Sequence, residues 1–303
     1  MIVQLLNAFR KSLRNPRYLL YFAQNVDVIR DHFPRLHMAM RRRRLVRVGE
    51  PGQLRKLHVI MRTTDLVMNI NSPRLLEDVG IKTRNDVIRI GGCSLFTAAA
   101  NFAAIFGKEN LRITLVTDRL SDEGMKQYRS AAESVNLGFD VVQSKGHGNG
   151  PSFQTQVDVA LQDDDDTLEL ILEDDYLLHD DALTIPFKLM RDHSCVSGID
   201  IQFEPGRIWN QDIGKLVAVD GRLYCRVPST TCTFFMTVNI MRKYEKYMRL
   251  YDGWEKGSIG VVWRKEICLA PLGWTLSEHL HRECLSPVQK LLGGCDKIEF
   301  FSL

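Results

Sequence analysis

Several absences narrow this 303-residue chain before any of its motifs is read. Its seven cysteines (Cys93, Cys195, Cys225, Cys232, Cys268, Cys284 and Cys295) are odd in number, scattered, and include no CxxC pair. That pattern argues against a disulfide framework or a zinc site and suits a reducing compartment. The longest apolar run, "CSLFTAAANFAAIFG", spans only about 15 residues and contains Thr and Asn, too short and too polar to cross a bilayer. No cleavable signal peptide is apparent, because arginines and lysines interrupt the first helical pattern early. The phosphate loop GxxxxGK[ST] is missing, which excludes a P-loop phosphotransferase. There is no internal repeat. These absences point to a cytoplasmic protein.

The composition that remains, 45% hydrophobic and 25% charged, is that of an ordinary soluble globular protein with enough chain to bury a core. Its charge is uneven. Residues 1–50 carry eleven Lys and Arg against Asp27, Asp31 and Glu50, a net of +8, which leaves −5 on the rest of a chain that totals +3. Ile2, Leu5, Leu6, Phe9 and Leu13 recur there at helical spacing, so residues 1–52 read as a basic helical extension ending near "GEPG". A basic arm on an acidic body suits a polyanionic partner: an anionic membrane surface or nucleic acid.

From Leu57 onward, strand and helix patterns alternate. "LHVIMRTTD", "LRITLVTDR", "GFDVVQS" and "TLELILEDD" read as strands, and "CSLFTAAANFAAIFG" reads as a mostly buried helix with Gly107 near its C-cap. Ser121 is placed to cap a second helix, and "KGHGNGPS" to lead into a third with Pro151 in its first turn. Such alternation predicts an α/β fold with a mainly parallel sheet covered on both faces, whose ligands bind beyond the carboxyl ends of the strands. Thr63, Thr64, Asp65, Asp118 and the triplet Glu173, Asp174 and Asp175 all fall at that edge.

Three adjacent carboxylates closing an apolar strand need either solvent or a cation, because buried like charges are costly. Strand alternation would send Glu173 and Asp175 to one side and Asp174 to the other. A pair on one side is half a site for Mg²⁺ or Mn²⁺, which take one or two carboxylates and fill their shells with phosphate oxygens and water. "DDDD" at 163–166, which has no apolar lead-in, reads as a solvated loop, and His147 as an exposed loop histidine.

With its strand ending in "LEDDY", the segment 57–176 resembles the nucleotide half of GT-A-fold glycosyltransferases, whose acidic D-x-D motif holds the metal–diphosphate of a sugar nucleotide. The E-D-D here is a variant of that motif. The resemblance implies nucleoside contacts from Thr63, Thr64, Asp65 and Asp118. It also implies nucleotide and sugar contacts from the Asn149 segment and Ser152, donor contacts from Glu173 and Asp174, and metal ligation by Asp175. In "APLGWTLSEHLH" it implies a late histidine ligand, His279, which would favour Mn²⁺ over Mg²⁺. In "YDGWEKG" it implies a catalytic base that deprotonates the acceptor; Glu255 and its competitor Asp252 both fit.

The implied organisation is an extension over 1–52, a catalytic domain over 53–285 and a tail over 286–303. Within the domain, a nucleotide half spans about 57–176 and an acceptor half about 177–285, where "STTCT" offers hydroxyls toward the sugar. The implied function is metal-dependent transfer of a sugar from a nucleotide-diphosphate donor to a hydroxyl of a glycan or lipid-linked glycan, inverting at the anomeric carbon. The basic extension would hold such an enzyme on the cytoplasmic membrane face. A sugar-nucleotide pyrophosphorylase shares the half-fold but needs a glycine-rich loop after the first strand, and "MRTTDLVMN" has no glycine. The competing class is a non-catalytic protein of this fold that binds nucleic acid or membrane through its basic arm.

Overall fold

The computed structural model describes residues 54–64, 83–202, 216–219, 221–227, 230, 233–251, 258–271 and 274–279. The expected basic extension 1–52, the tail 286–303 and the candidate residues Asp65, Asp252 and Glu255 lie outside them.

The four predicted strands form: β1 (Lys56–Thr64), β2 (Leu111–Asp118), β3 (Asp140–Gln143) and β4 (Thr167–Glu173). They pair in the order β3-β2-β1-β4, all parallel. Helices α1 (Arg84–Phe106), α2 (Asp122–Ser134) and α3 (Asn149–Ala160) connect them, so the predicted α/β alternation holds through this half. Further along come β5 (Tyr176–Leu178), α4 (Thr184–Asp192), β6 (Gly198–Asp200), β7 (Leu216–Val219), β8 (Arg222–Arg226) and β9 (Phe234–Thr237). The last described elements are α5 (Val238–Met248), α6 (Ile259–Lys265), β10 (Cys268–Pro271) and β11 (Ser277–His279).

β9 joins the sheet antiparallel to β4, and the order continues β9-β6-β10-β8-β7, nine strands among the described residues. The consecutive strands β8 and β9 do not pair with each other. β8 pairs with β7 and β10, whereas β9 sits between β4 and β6.

Because β1, β2 and β4 run in one register, each sheet face collects alternate residues of every strand. Leu57, Val59 and Met61 join Leu115, Leu170, Leu172 and the helix residues Phe96, Phe102 and Tyr128 in one core. Ile60, Val116 and Ile171 join Phe153, Val157, Met241 and Trp263 in the other. Gln156 of α3 fastens this second layer: its Nε2 donates to the carbonyls of Ile60 (2.7 Å) and Leu172 (3.0 Å). Ser121 caps α2 as expected, accepting from the Gly124 N–H, and Gly107 ends α1 with φ 94°.

α1 extends nine residues further upstream than its apolar run suggests. Thr83 opens it through a capping box with Asp86. At 23 residues it is long and apolar enough to cross a membrane, yet Leu95, Phe96, Ala98, Ala99 and Phe102 are buried against the sheet. It serves here as a core helix. Its Gly91 faces the turn after β4 so closely that a Cβ would stand 2.7 Å from the Asp174 carbonyl oxygen. Gly91→Ala should consequently cost about 1–3 kcal/mol through overpacking. Gly138→Ala, with nothing within 4 Å of the added carbon, should be near neutral. Urea denaturation of the two variants checks this, and equal midpoints would contradict the close approach.

Candidate active site

The carboxyl ends of β1, β2 and β4 form one rim of the sheet. Register pairs Thr64 with Asp118 and Arg62 with Glu173, so four of the predicted or neighbouring polar residues meet there. Strand alternation does not continue through the acidic triplet. β4 ends at Glu173, and Asp174 and Asp175 form the turn into β5, so each acid meets its own surroundings.

Glu173 accepts from Arg62, whose other terminal nitrogen donates to the Asn149 carbonyl at 3.0 Å. The Glu173 N–H donates to the Thr233 hydroxyl at 3.3 Å, which brings one of the expected "STTCT" hydroxyls to the rim. Asp174 is 6% exposed and accepts from Arg84 and from the Thr64 N–H (3.2 Å). Arg84 Nε also donates to the Thr64 carbonyl at 2.8 Å, so one guanidinium ties the end of β1 to the acidic turn. Burial opposes the charge on Arg84, but the facing Asp174, with Tyr128 and Asp175 nearby, raises its pKa above the usual value. Asp175 is 7% exposed. β11 pairs antiparallel with β5 and places His279 opposite Tyr176, the residue after Asp175. The two predicted metal ligands thus come from adjacent strand ends.

Asp118, also buried, accepts from the Gly148 N–H at 2.7 Å, and its other oxygen lies 2.6 Å from His147 Nδ1. Burial pushes its carboxyl up, but these two partners and Arg119 outweigh that and hold it below its ordinary range. His147 is exposed as expected, yet it carries a bond that the sequence did not suggest. Gly148 adopts φ 87°, a left-handed conformation suited to glycine, and so delivers its N–H to Asp118 just before α3 begins at Asn149. Thr63 faces the opposite side of the sheet, where its hydroxyl accepts from Tyr128 at 2.9 Å. The segment holding Asp252 and Glu255 departs from Tyr251. The ring of Tyr251 packs on Phe153 of α3 at 4.4 Å, and its carbonyl accepts from Gln154 at 3.2 Å.

Sequence reasoning missed Arg62 and Arg84. For Arg62 a signal existed: a guanidinium inside an apolar strand must find a buried acid. Nothing local linked Arg84 to a turn ninety residues away. Together, the two arginines offset two of the three carboxylates, leaving a rim of acids, hydroxyls and backbone groups able to hydrogen-bond a polar ligand.

No protein-family model matches the chain, and no curated protein matches it. Solved structures are similar to it. The mannosyltransferase PcManGT from Pyrobaculum calidifontis, in complex with GDP-Man and Mn²⁺, is 15% identical with a TM-score of 0.41, over 74% of this chain and 58% of that one. TarS of S. aureus, as residues 1–349, is 14% identical with a TM-score of 0.48, over 73% of this chain and 59% of that one. A second TarS structure gives 12% identity and a TM-score of 0.45, over 73% of this chain and 36% of that one. The chain therefore spans about three-fifths or less of the length of these proteins.

The Arg84–Asp174 pair is buried on both sides, which fixes the sign of its loss. Arg84→Leu should destabilise by about 3–5 kcal/mol, because an uncompensated carboxylate is left inside. Arg84→Leu with Asp174→Leu should recover much of that loss. Denaturant midpoints of the singles and the double decide it; additive losses would mean that the two side chains do not act as a pair.

Proposed function

We propose that the chain is a glycosyltransferase that moves a sugar from a nucleoside-diphosphate sugar to a hydroxyl of a glycan or lipid-linked glycan. The observation that carries this reading is the convergence, on one rim of a parallel sheet, of Thr64, Asp118, the Gly148–Asn149 loop and the Glu173–Asp175 turn. A crevice beyond the carboxyl ends of such strands is the ordinary place for a nucleotide.

The residues fit a hard divalent ion. Asp175 brings a buried carboxylate, His279 is one register step away, and a diphosphate with water would complete the shell. When bound, Mn²⁺ or Mg²⁺ would offset the charge that develops on the departing diphosphate. The rest falls to the chain itself. Thr64, Asp65 and Asp118 hold the nucleoside, Thr63 being turned to the other face of the sheet onto Tyr128; Asn149, Glu173 and Asp174 line the donor. Arg84 and Arg62 keep the turn and the α3 entrance in place, so the donor meets a preorganised edge. Glu255 or Asp252 takes the acceptor proton as the acceptor oxygen bonds to the anomeric carbon and the diphosphate leaves, with inversion. The net +8 of residues 1–50 supports peripheral attachment to an anionic membrane, where a lipid-linked acceptor would lie.

Two experiments test the reading. Asp175→Ala should stay folded but lose nucleoside-diphosphate binding in Mn²⁺, followed by isothermal titration with UDP and GDP. Metal-dependent affinity equal to wild type would remove Asp175 from the ligand set. Glu255→Gln should cut turnover by about 10²–10⁴-fold with donor affinity nearly unchanged, while Asp252→Asn costs less. The reverse ranking moves the base to Asp252, and near-normal turnover in both variants rejects the pair.

A further inference from the structure

The opposite ends of the same strands carry a second polar cluster. His58 of β1, Glu169 of β4 and Asp163, from the turn before β4, place ligand atoms within 4.8 Å of one another. His58 and Glu169 are register partners on the sheet face that also carries Arg62 and Glu173, four residues and roughly 13 Å further along. The tract "DDDD" is thus not uniformly a solvated loop. Lys56 and Arg242 hold Asp164 and Asp165 at the surface, whereas Asp163 turns inward.

The decisive residue is Glu169. It is fully buried, and neither carboxylate oxygen has a hydrogen-bond partner. His58 Nδ1 lies 3.5 Å from its Oε2, and the Asp163 side chain stands beside it. An ionised carboxylate in such a place is costly, and without a cation, burial, with the Asp163 carboxylate beside it, holds the Glu169 carboxyl well above its ordinary range. Half-exposed Arg112 lies 3.0 Å from Asp140 and 3.5 Å from Asp163.

We propose that His58, Asp163 and Glu169 bind a divalent transition ion of the Zn²⁺ class, distinct from the ion of the nucleotide rim. One imidazole nitrogen and two carboxylate oxygens in a tight, buried set suit a borderline ion, whereas Mg²⁺ would keep several waters. The absence of CxxC pairs excludes a thiolate set, not this one. His58 Nε2 lies 2.8 Å from the Thr114 hydroxyl, the outer-shell bond that fixes an imidazole with Nδ1 facing inward. Ligands of one tetrahedral ion stand about 3.3 Å apart at ordinary bond lengths. The His58–Glu169 separation of 3.5 Å already meets this. His58 Nδ1 and Asp163 Oδ2, at 2.5 Å, are instead joined by a hydrogen bond. The ion would displace its proton, and that of Glu169, to solvent and spread the pair by about 1 Å. Asp163, 17% exposed on a turn, can make that movement and provides the entry path. The bound ion would clasp the 163–166 turn to the amino ends of β1 and β4.

The metal-stripped full chain, titrated with Zn²⁺ alone and no nucleotide, tests this. Wild type and Asp175→Ala should each bind one ion tightly and melt higher with it. Glu169→Gln and His58→Gln should lose affinity by more than about 100-fold, beyond what an outer-shell change costs. Co²⁺ should give a tetrahedral visible band without thiolate charge transfer, which separates the site from the exposed Cys93 and Cys195. Where Glu169→Gln fails to fold, Asp163→Asn gives the same reading. Ion binding unchanged in these variants, a thiolate signature, or no binding by wild type overturns the proposal. Loss of binding in Asp175→Ala alone would assign the ion to the nucleotide rim instead.

Discussion

The turn at Glu173–Asp175 concentrates three carboxylates at the end of a strand whose preceding residues are almost wholly buried. Left alone, that arrangement would oppose folding through repulsion and desolvation together. Arg62 and Arg84 remove most of the difficulty from inside the protein, one along the neighbouring strand and one from the first turn of α1. Much of the surrounding geometry follows. Arg84 must reach both the Thr64 carbonyl and Asp174, which fixes where α1 starts. Gly91 then meets the Asp174 carbonyl, where any side chain would collide.

The second constraint is parity. On the α3-facing side, β1 and β4 change character together along the strands, and β2 follows one pair later. Polar His58 and Glu169 come first, then Ile60 and Ile171, then Arg62 and Glu173, while β2 sets Thr114 beside Ile60, Val116 beside Arg62 and Asp118 beside Thr64. The apolar middle belongs to the core beneath α3. The polar ends are separated by that layer, so a change at one rim must pass through close-packed side chains to be felt at the other.

Much of this half of the molecule was legible in the sequence. Apolar runs of strand length, Ser121, Gly107 and Pro151 place the elements, and the triplet after "LELIL" marks the rim, because periodicity and capping are local properties. Long-range pairing was not legible. The neighbours of β8 and β9 are set by which strands complete the sheet, which proximity in sequence does not reveal. The alternation assigned to Glu173, Asp174 and Asp175 failed because the strand ends at the first acid, and period-2 reasoning stops where the backbone turns. Asp163 was assigned to solvent for want of an apolar lead-in; its partners, His58 and Glu169, come from two strand starts that only the register brings together.

The same compensation bears on how a donor would be recognised at the rim. A guanidinium aimed at solvent is a ready phosphate ligand, but Arg62 and Arg84 are both turned inward onto carboxylates and strand or loop carbonyls. Their charge is largely spent within the protein, and withdrawing either one would strand a buried acid. Under the proposed reading, a diphosphate arriving here therefore draws little direct attraction from these two arginines. On that reading a cation held by Asp175 would supply counter-charge that Arg62 and Arg84, engaged by Glu173 and Asp174, do not. Under the proposed reading, dependence on a metal would follow from how the acidic turn is stabilised, since the two arginines nearest the turn are already engaged by its carboxylates.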